Sequence, residues 1–224
     1  MERINIAIDG PAGAGKSTIA KAIAKELHIL HLDTGAMYRT LALKALRLGI
    51  DPGDAVGVEG FLDDTDVRVG FENGVQTFWL DGEDVTGLIR TSEVSKGASD
   101  IAVIPAVRHK LVRIQRQIAV EHDVVMDGRD ITTYVLKDAK YKFFVTASAE
   151  VRARRRLLEM EQKGLSVGET FEQVLDQIQK RDLTDSTRAM APLRQAEDAV
   201  LVDTSSLSIE QAIEAVMDHI RPAR

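Results

Sequence analysis

Short apolar runs alternate along the chain with longer segments in which apolar residues recur every three or four positions. That rhythm belongs to an α/β protein whose parallel strands are joined by helices. Five runs have the length and composition of buried strands: Ile4–Asp9, Ile29–Leu32, Val124–Asp127, Lys142–Thr146 and Ala199–Val202. Between the first two, Ile19, Ile23 and Leu27 stand four residues apart, which predicts an amphipathic helix. A second helix is predicted over about Ala36–Leu48, stopped near Gly49 with Pro52 beyond. Pro105 suits the first position of a long helix with Val107, Leu111, Ile114 and Ile118 as its apolar stripe. Near the end, Ser208 to Gln211 fit a capping box ahead of the stripe Ile209, Ile213, Val216 and Ile220.

One stretch breaks this rhythm. Val67, Val69 and Phe71 alternate with polar residues, Asn73-Gly74 follows, and Phe78 and Leu80 alternate again. A two-residue turn at Asn73-Gly74 pairs Val69 with Phe78 and Val67 with Leu80 on one face, and Asp81-Gly82 offers a second turn into Val85. A small antiparallel meander is therefore expected as an insert over about 64–93.

Hydrophobic residues make up 44% of the 224 and charged residues 29%, close to globular averages, so disorder is excluded as the default. The balance of 29 basic against 35 acidic residues gives a net charge of −6, which argues against an indiscriminate grip on nucleic acid or anionic membrane. There is no cysteine, which removes disulfides, thiolate catalysis and cysteine-ligated metal and suits a reducing compartment. The N-terminal apolar run is broken by Asn5 and Asp9 before signal-peptide length, and no stretch approaches the roughly 20 apolar residues of a membrane span. The expectation is a soluble cytoplasmic protein with neither nucleic acid nor membrane as partner. Within the charge total stand 18 arginines against 11 lysines. Arginine is the cation suited to holding phosphates and carboxylates in fixed geometry.

The chemistry concentrates in four places. Gly10-Pro11-Ala12-Gly13-Ala14-Gly15-Lys16-Ser17-Thr18 contains G-x-x-x-x-G-K-S between a predicted strand and a predicted helix, the context a phosphate loop requires. Its glycines let backbone amides close around phosphates, Lys16 reaches the terminal phosphates, and the Ser17 hydroxyl is placed for Mg²⁺. Asp33-Thr34-Gly35-Ala36-Met37-Tyr38-Arg39 leaves the second strand and opens a helix, with Thr34 as cap or ligand contact and Arg39 one turn in. A plain helix cap with a surface arginine is the alternative. Asp127-Gly128-Arg129-Asp130 follows the strand at Val124, and Gly128 stands where a nucleotide-hydrolysing machine often carries a water-activating glutamate. Finally, Arg152, Arg154, Arg155 and Arg156 crowd one helical segment, while Arg181, Asp185 and Arg188 are one turn apart on another. A salt-bridged helix surface and a site for a second phosphate-bearing substrate both remain open readings.

A nucleoside monophosphate acceptor brings its own ionised oxygen and needs cationic positioning rather than a general base. An arginine-rich, net-acidic phosphate-loop protein suits that task. The phosphate loop, Leu32 to Arg39, Asp127 to Asp130, Arg181-Asp182-Leu183-Thr184-Asp185-Ser186-Thr187-Arg188, Ala191-Pro192-Leu193 and Ala196-Glu197-Asp198-Ala199 together resemble the bacterial cytidylate kinases, in family order over nearly the whole chain.

The resemblance implies a nucleoside monophosphate kinase: a phosphate-loop core with a five-stranded parallel sheet, transferring phosphate from ATP with Mg²⁺ to CMP or dCMP. It implies a core over 1–35, 120–153 and 190–224, an acceptor-binding region over 36–119 that carries the insert, and a lid with flanking helices over about 154–188, the lid itself near Arg154–Gly164. It assigns Lys16, Arg129 and Arg188 to catalysis. Arg39 and Arg129 would hold the acceptor phosphate with Arg188 nearby. Ser99, Arg108 and Asp130 would face cytosine, and Arg181 with Asp185 the sugar. Thr34 occupies a position where the family has Ser or Thr. Ser17 would ligate Mg²⁺ directly, with Asp33 and Asp127 through water, and the chain would be a monomer.

A cytosine amine donates where uracil offers a carbonyl, so an acceptor such as Asp130 would favour the former. One departure concerns the backbone. The family commonly has Gly after Arg-Asp-Ile, whereas this chain has Thr132, which would be strained if a positive φ were needed there. Two other classes remain: a phosphate-loop kinase for another small metabolite, and a nucleotide-dependent switch, against which Gly128 and the lack of a basic groove weigh.

Overall fold

A computed structural model describes residues 3–72, 75–162 and 168–221. The chain divides into two compact units, the first comprising Met1–Asn5 with Ala24–Asp127 and the second Ile6–Ile23 with Gly128–Arg224. The five expected strands form as β1 (Asn5–Asp9), β2 (Leu30–Asp33), β6 (Val124–Gly128), β7 (Tyr141–Thr146) and β8 (Val200–Asp203), each within one residue of its predicted ends. They make one sheet in the order β2-β6-β1-β7-β8. Ile6, Ala7, Ile8 and Asp9 are all 0% exposed, the continuous burial of a strand covered on both faces.

In the first unit, β2 and β6 run parallel with Asp33 beside Asp127 at their carboxyl ends. The insert is a three-stranded antiparallel sheet of β3 (Val67–Glu72), β4 (Val75–Leu80) and β5 (Glu83–Asp84). Val67 pairs with Leu80 and Val69 with Phe78, the register expected from the alternation. The Asn73-Gly74 turn lies outside the described residues. Asp81 and Gly82 take φ of 50° and 86°, the two left-handed positions of a type I′ turn, and lead into β5. The insert stops earlier than predicted, because the Thr91 hydroxyl accepts from the Val94 amide and starts α4 (Ser92–Ile101), so Glu93 is helical.

The helix expected from Ala36 begins two residues sooner as α2 (Thr34–Arg47), and a further short helix, α3 (Ala55–Leu62), precedes the insert. Pro105 opens α5 (Pro105–Glu121), where Val107, Leu111 and Ile118 are buried as expected and Arg108 is buried among them.

In the second unit, β1 pairs in parallel with β7, and β7 with β8. The phosphate-loop helix is α1 (Lys16–Leu27), of which Lys16 to Ile23 belong here. A five-residue π-helical turn, Ile131–Val135, follows β6. Then come α6 (Ala149–Gln162), α7 (Phe171–Thr187) and α8 (Ile209–Ile220). Ser208 and Gln211 form the expected capping box. The buried face of α8 differs from the predicted stripe: Val216 and Ile220 are covered, but Ile209 is 58% exposed and Ala212 and Met217 are buried. Periodicity identifies a face but not how far along the helix that face is covered. Among the described residues, no helix is long and apolar enough to cross a membrane.

Candidate active site

The phosphate loop is built by its backbone partners. The Pro11 carbonyl accepts from Lys16 Nζ at 2.7 Å, the Ala12 carbonyl from Arg152 Nη1 at 3.2 Å, and the Ala14 carbonyl from the Thr204 hydroxyl at 3.1 Å. In a planar trans peptide the following N–H points opposite to its carbonyl. Anchoring Ala12 and Ala14 therefore turns the Gly13 and Gly15 amides the other way, as an anion cradle requires. A Cβ on Gly10 would lie 1.8 Å from the Val145 carbonyl oxygen, and one on Gly13 would lie 3.2 Å from Arg152 Cβ. Both glycines also have left-handed φ, 147° and 77°. Lys16 and Ser17 stand in the first turn of α1, with Lys16 6% exposed.

Of the four crowded arginines on α6, Arg152 is committed inside the protein. It donates from Nε to the Ala147 carbonyl and from both terminal nitrogens to Asp182 on α7, at 3.1 and 2.7 Å. Arg155 is likewise held, by Thr204. Arg154 lies over the Phe171 ring, and Arg156 Nε is buried without an acceptor. Of the expected lid, Lys163 and Gly164 lie outside the described residues.

Arg129, Asp130, Arg181, Asp185 and Arg188 gather within the second unit. Arg129 Nε donates to Asp185 Oδ2 at 2.8 Å, Arg188 Nη1 lies 4.0 Å from Asp185 Oδ1, and Arg188 Nη2 donates to Asp130 Oδ1 at 3.2 Å. Arg188 has left the helix as the C-cap of α7, yet it remains on the cluster. Burial alone would raise the Asp185 carboxyl, but the charges of Arg129 and Arg181, the Arg129 hydrogen bond and the charge of Arg188 hold it below the usual carboxylate range. Arg129, Arg181 and Arg188 thus gather about two carboxylates, Asp185 and Asp130.

In the first unit, the cap of α2 is Asp33 rather than Thr34. Asp33 Oδ1 accepts from the Ala36 amide at 3.0 Å and Oδ2 from Arg39 at 2.7 Å. Asp33 is both the last residue of β2 and the cap, so the helix follows the strand with no intervening loop. Thr34 is the first helical residue, and its hydroxyl donates to the Asp127 carbonyl at 2.8 Å. Arg39 Nε is buried without an acceptor. Arg108 is 0% exposed on α5, donating to the Ala102 carbonyl with its guanidinium 5.9 Å from the Tyr38 ring. Ser99 is half-buried on α4.

Sequence reading missed two contributors and the partners of a third. His31 bridges Asp127 Oδ1 (2.6 Å from Nε2) and Gln76 Nε2 (3.2 Å from Nδ1), and Gln76 Oε1 accepts from the Asp33 amide. The Asp33 amide fixes the Gln76 oxygen, so the Gln76 amide nitrogen donates to His31 Nδ1, and the ring carries its proton on Nε2 toward Asp127. Nitrogen-15 NMR of the imidazole is expected to show the Nε2–H tautomer; the Nδ1–H form would contradict this network. Arg152 was singled out, but not its bonds to Ala12 and Asp182. The second missed residue is Asp9. Its Oδ1 accepts from the Ile131 amide at 2.8 Å, and its Oδ2 from the Thr132 amide at 2.7 Å and the Thr132 hydroxyl at 2.6 Å. An acidic residue closing a buried apolar strand was the available signal, because such a charge demands partners. Burial, with Asp130 nearby, pushes the Asp9 carboxyl up from 3.8 to about 6 against the lowering effect of its three donors. The folded chain therefore holds a proton that the unfolded chain releases between those values, and this group's contribution to stability falls as pH rises through that window.

The strain anticipated at Thr132 is absent. Among the described residues, only His28, Asp81 and Ala191 have positive φ without being glycine, and Thr132 sits in the π-helical turn.

The sequence profile of the family described as cytidylate kinase matches residues 6–222. The chain belongs to the cytidylate kinase family. A cytidylate kinase of Caldicellulosiruptor bescii is 52% identical over 218 residues, covering 97% of this chain and 96% of the relative. One from Clostridium botulinum is 45% identical over 221 residues, covering 99% of each. Among solved structures, shikimate kinase from Bacteroides thetaiotaomicron shares the fold with a TM-score of 0.50 and 15% identity, over 97% of this chain and 98% of that one. An uncharacterized protein from Eubacterium ventriosum aligns with a TM-score of 0.55 and 13% identity, over 97% and 98%. Membership in the cytidylate kinase family makes the chain an ATP-dependent phosphotransferase with a nucleotide-binding phosphate loop.

Proposed function

We propose that the chain transfers the γ-phosphoryl group of ATP to CMP or dCMP, giving ADP and CDP or dCDP. The observation that carries this reading is the cluster of Arg129, Arg181 and Arg188 about Asp185, a cationic group beyond the donor loop, in a chain of the cytidylate kinase family. An ionised oxygen of the acceptor phosphate attacks the γ-phosphorus in line as the bond to ADP breaks, so no side chain need remove a proton. Gly128 in place of a water-activating glutamate agrees with an attacking phosphate rather than water.

The loop amides and Lys16 bear the donor phosphates. Arg129 and Arg188, with Arg39 from the first unit, hold the acceptor phosphate and take up charge in the loose transition state. Ser99, Arg108 and Asp130 read the cytosine, and Arg181 and Asp185 the sugar. Residues 36–119 act as the acceptor-binding region and about 154–188 as lid with its flanking helices, on the core of 1–35, 120–153 and 190–224.

The donor is ATP with Mg²⁺. Ser17 offers a hard oxygen at the loop, and the described residues contain no cluster of three or more His, Cys, Asp or Glu side chains suited to a metal. This donor set fits a cation held mostly by phosphate oxygens and water, with Asp33 and Asp127 acting through water. A Mg²⁺ ion held there would supply positive charge to offset that of the donor phosphates. A cytoplasmic protein without nucleic acid or membrane as partner agrees with the lack of cysteine and the net charge of −6, and the family resemblance favours a monomer.

The deciding experiment is an acceptor panel with Mg·ATP. CMP and dCMP are expected to be phosphorylated much faster than AMP, GMP or shikimate. Equal rates across the panel would sink the reading, and ADP release that needs no acceptor would favour a nucleotide switch.

A further inference from the structure

The turn that presents Arg129 and Asp130 is capped from elsewhere in the chain. Asp130 stands at the N-cap of the Ile131–Val135 turn with φ −147° and ψ 23°, but its side chain makes no cap hydrogen bond. The first two amides of the turn, Ile131 and Thr132, donate instead to the two oxygens of Asp9 at 2.8 and 2.7 Å, and the Thr132 hydroxyl adds a third bond at 2.6 Å. Asp9 is 0% exposed and Thr132 is 1% exposed, so water does not compete for these bonds. The Asp130 carboxylate is directed to Arg188, and Arg129 to Asp185.

We propose that Asp9, with the Thr132 hydroxyl, is a positioning pair that caps this turn in place of Asp130 and thereby holds Arg129 and Asp130 in the arrangement that binds the acceptor nucleotide. The proposal rests on the reading that Arg129 and Asp130 contact the acceptor. The physical logic is a division of labour. An aspartate at an N-cap ordinarily spends its carboxylate on the amides that follow it. A carboxylate supplied by β1 satisfies those amides, and the local aspartate then takes part in the arginine cluster. The ionised form is the competent one, because both oxygens must accept and a protonated oxygen would turn a donor toward an N–H. Asp130 is a like charge that acts on Asp9, and Arg188, paired with Asp130, is the cation beyond it.

The test compares wild type with Thr132→Val, Thr132→Ser and Arg129→Ala, measuring KM for CMP and for ATP from pH 5 to 8 alongside thermal unfolding. Thr132→Val keeps the shape but removes one bond to a charged acceptor, so its CMP KM should rise about tenfold. The ATP KM should be unchanged, and Thr132→Ser should restore the wild-type value. The CMP KM should also rise with falling pH, starting at a higher pH in Thr132→Val, because the hydroxyl that lowers the Asp9 pKa is gone. The second ionisation of the CMP phosphate, near pH 6, shifts every curve alike, so the difference between variants reports the protein. A purely structural role would lower the unfolding temperature without separating the two KM values or moving the profile. Wild-type CMP KM values at every pH in Thr132→Val, with a raised value in Arg129→Ala, would overturn the positioning role alone. An unchanged CMP KM in Arg129→Ala would remove the acceptor assignment, and the proposal with it.

Discussion

Lys16→Ala is expected to lower turnover with CMP by about two to three orders of magnitude, the usual range for deleting one preorganised charge-stabilising donor. The ammonium is 6% exposed and lies 2.7 Å from the Pro11 carbonyl, so it is already desolvated and fixed against the loop that receives the donor phosphates. A loose transition state spreads negative charge over the transferred phosphoryl oxygens, and a buried cation acts on that charge more strongly than a solvated one. The fold should survive, because the hydrogen bond to the loop carbonyl is worth only on the order of 1–3 kcal/mol. Steady-state rates with Mg·ATP and CMP, together with a melting curve, check both halves. Turnover within threefold of wild type would remove Lys16 from the mechanism.

Asp185→Ala should be the most damaging change away from the phosphate loop. Its carboxylate is 6% exposed and held below the usual range despite its burial, chiefly through Arg129 and Arg181. Removing it leaves like-charged guanidiniums facing one another, and losing one partner of a buried ion pair typically costs about 3–5 kcal/mol. Because Asp185 contributes stability that is present above the ordinary carboxylate range and lost as pH falls through its lowered value, the gap between variant and wild type should narrow in acid. Arg129 also loses its anchor at Nε, so the CMP KM should rise by at least about tenfold, the scale of one charge-assisted hydrogen bond. The ATP KM should change little. A change confined to the ATP KM would contradict the assignment of Asp185 to the acceptor sugar.

What could be read in advance follows the distance over which each feature is encoded. The phosphate loop was plain because nine consecutive residues carry it, and the cluster on α7 because Arg181, Asp185 and Arg188 lie one helical turn apart. The meander register followed from alternation over a dozen residues. The partners of Asp9 were hidden because they lie 122 and 123 residues away, and Arg152 reaches Ala12 across 140. No local period records such a meeting; it depends on which strands become neighbours. The reading of Thr34 as the cap failed for another reason. Asp33 and Thr34 are both good caps, and the end of β2 decided between them.

The glycines of the phosphate loop have an inheritance beyond phosphate. At Gly10 any side chain would run into the β7 carbonyl of Val145, and at Gly13 it would press on Arg152. The loop is thus cast against a mould made by residues more than a hundred positions away. A lineage that remodelled β7 or α6 would change which substitutions the loop tolerates, even with every nucleotide contact preserved. Gly10 and Gly13 are in this sense a memory of the packing behind them, and a shift of the β7 backbone or of α6 would rewrite it.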